Sequence, residues 1–186
     1  MNTSVKQSTH VTTYTQKNDD WYTPRWLADL CRKALGGHID LDPASCLGAN
    51  EIVRAAKIYT KEDNGLSRTW SGTVLLNPPS KRGDPLAQPR LWAEQLLLYY
   101  ANRMVEAATL IVKSNLGYAW YEQLYRLIWV CHLRERPHFL KDGLDVGQAK
   151  KGVSVFYMGP DPIHFYDLFI QHGRVVPPET WVDNRI

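Results

Sequence analysis

The run Thr73-Val74-Leu75-Leu76 stops abruptly at Asn77-Pro78-Pro79-Ser80. Such residues favour a strand. Proline lacks the amide that a sheet ladder needs, so it ends one. The same interruption follows His38-Ile39-Asp40-Leu41-Asp42, at Pro43. Further strands are expected at Thr109-Leu110-Ile111-Val112, over residues 128–133 and over 153–158, with Val175-Val176 closing the pattern. Helices fall between them. Thr23 and Pro24 offer a helix start. Trp26, Leu27, Leu30, Cys31, Ala34 and Leu35 then share one face at helical spacing, and Gly36-Gly37 end it. Other helices are expected over 51–59 (running into an extended piece), 89–103 and 117–127, and after the cap Asp161, where Pro162 opens a helix and Gly173 lies past its end. Short apolar strands alternating with helices predict an α/β fold, with a mostly parallel sheet covered on both faces. Such sheets bind ligands outside the carboxyl ends of their strands.

The chain has 186 residues, enough for one domain. Residues 1–18 are polar and aperiodic and read as a flexible tail, leaving 19–186 as a single domain. No apolar run approaches the ~18 residues of a membrane span, and the N-terminus has no apolar core of a secretory signal. Cys31, Cys46 and Cys131 lack metal or redox spacing, and the expected compartment is a reducing cytoplasm. His132, His138 and His164 show no ligand pattern, so no metal is expected. A net charge of +3 permits nucleic-acid binding without requiring it. The glycine-rich dinucleotide and P-loop fingerprints are absent.

Attention therefore falls on the two proline-stopped strand ends. Two successive prolines make a rigid turn with carbonyls and no N–H. The side-chain carbonyl of Asn77 and the backbone carbonyl of Pro78 can converge as two acceptors. They suit an exocyclic –NH₂. Accepting both hydrogens concentrates the nitrogen lone pair for attack on an electrophilic methyl group, by orientation and electrostatics alone. As a bare tripeptide the motif reads more readily as a plain loop, and its position directly after an apolar strand brings the two readings level. Asp42 at the first strand end suits a ribose hydroxyl or an ammonium group, and equally a helix cap.

The ordered set Trp21-Tyr22-Thr23-Pro24, Ile39-Asp40-Leu41-Asp42-Pro43-Ala44-Ser45-Cys46, Ala49-Asn50, Asp63-Asn64-Gly65-Leu66, Trp70-Ser71-Gly72, Asn77-Pro78-Pro79, Gly152-Val153-Ser154-Val155-Phe156 and Gly159-Pro160 resembles the phage-type, Dam-like DNA N6-adenine methyltransferases. It spans about residues 19–176. The resemblance implies a Rossmann-like methyltransferase sheet, here abbreviated, that binds S-adenosylmethionine. It implies a cytoplasmic enzyme encoded by a phage or prophage, in the sphere of restriction and modification. Trp21, Tyr22, Thr23 and Pro24 would pack over the methionine end of the cofactor. Asp42, Pro43, Ala44 and Ser45 would form its loop, and Asp63 would meet its adenosine. Asn77, Pro78, Pro79 and Ser80 match the catalytic motif. Read without the resemblance, Trp21 is also a core anchor and Asp63 a turn cap.

Ser80 departs from the family pattern, which places there an aromatic that stacks on the flipped base. Base–aromatic stacking contributes ~1–3 kcal/mol. Trp92, Tyr118 or Trp120 could replace the ring. Alternatively, a polar loop could hold the base, or catalysis could be lost with cofactor binding kept. The intact acceptor pair favours a retained enzyme. Extruding a base costs a few kcal/mol and needs phosphate contacts. Lys81, Arg82 and Arg90 flank the motif, with Lys150 and Lys151 a second basic group and Arg134 and Arg136 a third. No DNA-reading module is visible and little chain remains for one. The expected function is methylation of adenine N6 in DNA, with short or relaxed specificity. N4-cytosine methylation and a non-catalytic cofactor- or DNA-binding protein are the alternatives.

Overall fold

The computed structural model describes residues 21–81, 83–141 and 144–181. The expected tail at 1–18 lies outside them. Strands are β1 (Leu41–Asp42), β2 (Lys57–Ile58), β3 (Gly72–Leu76), β4 (Val105–Lys113), β5 (Trp129–Leu133), β6 (His138–Lys141), β7 (Leu144–Gln148), β8 (Val153–Met158) and β9 (Gly173–Val176). Seven of them form one sheet in the order β2-β1-β3-β4-β8-β5-β9, and β6 pairs with β7 in a separate hairpin. β2, β1, β3 and β4 are parallel. β8 opposes both β4 and β5, and β9 opposes β5. Five strands therefore share one direction and two oppose it, as expected of a mostly parallel sheet.

Helices α1 (Arg25–Ala34), α2 (Leu47–Val53), α3 (Pro89–Ala101), α4 (Ala119–Leu127) and α5 (Pro162–Phe169) cover both faces. Alternation along the central strands explains why. Leu75, Ala107 and Ile111 pack with Leu27 and Cys31 of α1 and with Phe165 and Phe169 of α5. Val74, Leu76, Ala108, Leu110 and Val112 face the other way, onto Trp92, Ala93 and Leu96 of α3 and Tyr121 and Leu124 of α4. Each fully buried aliphatic side chain contributes ~1.5–3 kcal/mol. Strands apolar on both faces leave only their ends for polar chemistry.

The abbreviation falls between β1 and β3. Between them lie one seven-residue α-helix, the two-residue β2 and a single 3-10 turn at Gly65–Ser67, and β1 pairs directly with β3. Asp40 joins those two strands. Its carboxylate accepts from Thr73 N and Thr73 Oγ1, both at 2.8 Å. These bonds, led by the Thr73 amide, hold its carboxyl low. Gly72 sits beneath it at φ +70°, where a Cβ would collide with the carboxylate.

Several local expectations change. Thr23 does not cap α1: the N-cap is Pro24 and no side chain caps it. The hydroxyl of Thr23 has another partner, described below. The helix expected at 51–59 begins earlier, at Leu47, because Cys46 Sγ caps it by accepting from Ala49 N. It ends at Arg54, in the left-handed region at φ 55°. The β6–β7 hairpin was not legible. It docks through a bridge between Tyr22 and Leu140, with N···O distances of 2.7 and 3.1 Å. Cys31 and Cys131 are unpaired and buried, and burial pushes both thiols up to about 12.

Candidate active site at the carboxyl edge of the sheet

β3 delivers Asn77 to the carboxyl edge, where the chain segment preceding α1 receives it. Asn77 Nδ2 donates to Trp21 O at 3.1 Å and to Thr23 Oγ1 at 3.2 Å. Trp21 O can only accept, so the amide orientation is determined: turning it over would set two oxygens against each other. Both amide hydrogens are consumed, and Oδ1 remains as an acceptor. Thr23 is buried, with 2% exposure, which fixes its hydroxyl against Asn77. Pro78 is buried and Pro79 half-buried. Neither has an N–H, so the turn presents acceptors only.

Asp42 stands at the end of β1, the strand directly beside β3, and is only 3% exposed. Its Oδ1 accepts from Ala44 N at 3.2 Å. Burial pushes its carboxyl up to about 6, against the pull of the Ala44 amide and the Ser45 hydroxyl. No basic side chain pairs with it among the described residues. A buried carboxylate without a cation is costly unless something compensates it. It therefore fits a ligand bringing a positive charge or hydroxyl donors.

Asp63 is otherwise engaged. Its Oδ2 accepts from Thr60 N and Thr60 Oγ1, both at 2.9 Å, so the carboxylate caps its own turn. The following residues matter more for shape. Asn64 adopts φ 51° and turns the chain so that Gly65 meets the carbonyl of Pro43, where a Cβ would collide. Trp70 Nε1 donates to Gly65 O at 2.8 Å and fixes that approach from behind. The Asp63-Asn64-Gly65-Leu66 stretch thus buttresses the Asp42-Pro43 loop.

Trp21 is 43% exposed and meets Phe139 of β6 edge-on, with ring centroids 6.3 Å apart. Tyr22 is buried against Gly48 and bridged to the hairpin. Segment 21–24 therefore lies between Asn77 on one side and β6 on the other.

The aromatic candidates separate clearly. Trp92 is 5% exposed, stacked on Trp70 at 6.0 Å, with its Nε1 donating to Leu86 O. It is core and offers no face to a base. Trp120 is half-buried against Tyr121. Tyr118 is 60% exposed and follows the carboxyl end of β4, the strand beside β3. Ser80 is exposed and accepts from Lys113 Nζ at 3.4 Å. Arg90 pairs with Glu94 at 3.0 Å along α3. Lys81 is exposed, and Arg82 lies outside the described residues.

Two features escaped the sequence reading. Lys113 closes an apolar strand and carries no motif, so only its hydrogen bond to Ser80 reveals it. Ser154 sits in an apolar-looking strand yet is a buried polar hub. Its Oγ meets Ser114 Oγ at 2.8 Å, Tyr121 OH at 2.7 Å and His132 Nδ1 at 3.0 Å. Three partners satisfy one hydroxyl. They tie the residue after β4 to the sheet and to α4. Burial lowers the pKa of His132, so its imidazole stays neutral near pH 7.

A methyltransferase-type Rossmann-like sheet, with an N-P-P turn at the end of a central strand, defines the class. A family described as DNA N-6-adenine-methyltransferase (Dam) matches residues 10–152. That is most of the chain, from before Trp21 to the residue preceding β8, and it includes both strand ends. The chain belongs to this family. No curated protein and no solved structure matches it. Among the described residues, no helix is long and apolar enough to cross a membrane, and no cluster of His, Cys, Asp and Glu could hold a metal.

Proposed function

We propose that the chain methylates the N6 amine of adenine in DNA, using S-adenosylmethionine and acting at short or relaxed sequences. The observation that carries this reading is the tethered amide of Asn77. Its two hydrogens are spent on Trp21 O and Thr23 Oγ1, so its carbonyl is turned to accept. With the Pro78 carbonyl it offers two acceptors to the two hydrogens of an exocyclic amine. S-adenosylmethionine, when bound, supplies an electrophilic methyl group. Asn77 and Pro78 orient the amine and localise its lone pair, and no covalent link to the protein is needed. Asp42 suits the positively charged or hydroxyl-bearing part of the cofactor, and the Pro43-Ala44-Ser45 loop, buttressed by Gly65, suits its contour. Segment 21–24 closes the same space while holding Asn77.

The family membership favours adenine over cytosine, although the two acceptors suit either amine. The test is expression in a host lacking adenine methylation, followed by mass spectrometry of the digested DNA. N6-methyladenine is expected, and it is expected to vanish with Asn77→Ala. N4-methylcytosine in its place would reassign the base. No methylated base of either kind, despite calorimetric binding of S-adenosylhomocysteine, would leave a cofactor-binding protein without this activity.

A further inference from the structure

Lys113 ends β4 and reaches Ser80 Oγ at 3.4 Å. The antiparallel neighbour begins at the same edge. Lys113 is in register with Val153, and Ser114 N donates to Gly152 O at 2.8 Å. Lys150 and Lys151 directly precede that point. All three lysines are exposed. Among the described residues, no carboxylate pairs with any of them. Arg68, Arg90 and Arg126 elsewhere each face one. Like charges brought to one strand edge repel one another over a screening length of ~8 Å, and an anion beside them relieves this.

The geometry points to a phosphate clamp: Lys113, Lys150 and Lys151 hold the phosphodiester backbone of the DNA strand that carries the base being modified. This rests on the reading of the Asn77 edge as a DNA methyltransferase site. A base whose amine reaches Asn77 brings its own backbone over neighbouring strand ends; β1 on one side of β3 carries the Asp42-Pro43 loop, which leaves the side of β4 and, beyond it, β8. Lysine is a point charge on a flexible stem, suited to phosphate without regard to sequence. Ser80 takes part. Its oxygen accepts from Lys113, which leaves its hydroxyl hydrogen to donate to the same phosphate. The position that lacks a stacking ring thus gains a polar grip. The contact surface shifts from the α3 side, where Arg90 is paired and Trp92 is buried, to the β4–β8 side.

The test titrates a labelled adenine-containing duplex with the full-length protein by fluorescence anisotropy, between 50 and 200 mM salt. The slope of log K against log[salt] is expected to fall by about 0.9 for each lysine removed. Lys113→Gln and Lys151→Gln should each show this, while calorimetric binding of S-adenosylhomocysteine stays unchanged. Lys113→Arg should keep the parent slope. Lys33→Gln makes the same charge change at the end of α1 remote from Thr23, and should also keep it. Unaltered slopes in the glutamine variants overturn the clamp, as does an equal fall in Lys33→Gln or a lost slope in Lys113→Arg. If the parent methylates DNA while the glutamine variants keep its slope, only the clamp fails. If the parent neither binds nor methylates DNA, the enzyme reading fails and takes the clamp with it.

Discussion

Asn77 and Ser80 are three residues apart and are held in opposite ways. Asn77 has its amide fixed by two hydrogen bonds to the segment that precedes α1, at Trp21 O and the buried Thr23. Ser80 is exposed and touches a single lysine at long range. One end of the motif is preorganised and the other is open. Orientation of a reacting amine demands fixed acceptors, because small displacements there are costly in rate. Holding a polyanionic strand demands charge more than fixed geometry. The division suits a site that is strict about the amine and lenient about what surrounds it.

The sharpest way to break the comparison is Asn77→Ala. Loss of a preorganised polar contact at the reacting group is expected to cost ~10²–10³ in turnover, read as N6-methyladenine formed per enzyme, with cofactor binding retained. Asp42→Asn comes next and tests the buried end of the site. In the fold the neutral carboxyl is favoured, so the charged form at pH 7 costs roughly 3 kcal/mol. The amide variant should therefore melt higher than the parent above pH about 6, and lose that advantage as pH falls towards 4. Its affinity for S-adenosylhomocysteine should drop. A parent whose cofactor affinity holds steady on acidification through about 6 would contradict a role for the ionised carboxylate.

Tyr118→Ala probes the open side. If this exposed ring carries the base, DNA binding should weaken by ~1–3 kcal/mol, about 5- to 160-fold. Unchanged binding would leave the polar grip at Ser80 to act alone. Thr23→Val removes one acceptor from the Asn77 amide. A net hydrogen bond of ~0.5–1.5 kcal/mol predicts a loss of about 2- to 13-fold in kcat, restored by Thr23→Ser. The smallest effect belongs to Arg90→Gln. An exposed pair within one helix turn contributes ~0.3–0.5 kcal/mol, so DNA binding should stay within twofold of the parent.

What the sequence made legible was mostly local. Proline-stopped strand ends and the Asp161 cap follow from nearest neighbours, and the structure agrees on them, whereas Trp26, on the apolar face expected of the first helix, is 41% exposed. The partners of Asn77 were hidden because they lie 54 and 56 residues away and one of them is a backbone carbonyl. Thr23 looked like a helix cap because threonine before proline usually is one; tertiary demand for its hydroxyl prevailed. Trp92 looked available beside the motif, yet the helical phase of α3 turns it into the core with Leu96. The hairpin was missed because β7 is largely exposed and shows no buried alternation.

The bridge between Tyr22 and Leu140 has a consequence in time. Synthesis adds roughly 5–20 residues per second, so the chain waits several seconds after Tyr22 before Leu140 exists. Until then the segment bearing Thr23 has Asn77 to grip but no strand behind it. The earlier strands can pair while the chain is still on the ribosome; the backing of segment 21–24 cannot form until β6 emerges. Competence therefore arrives late in the life of the nascent chain, and a prematurely ended product that keeps every residue of the N-P-P motif would carry an unsupported site.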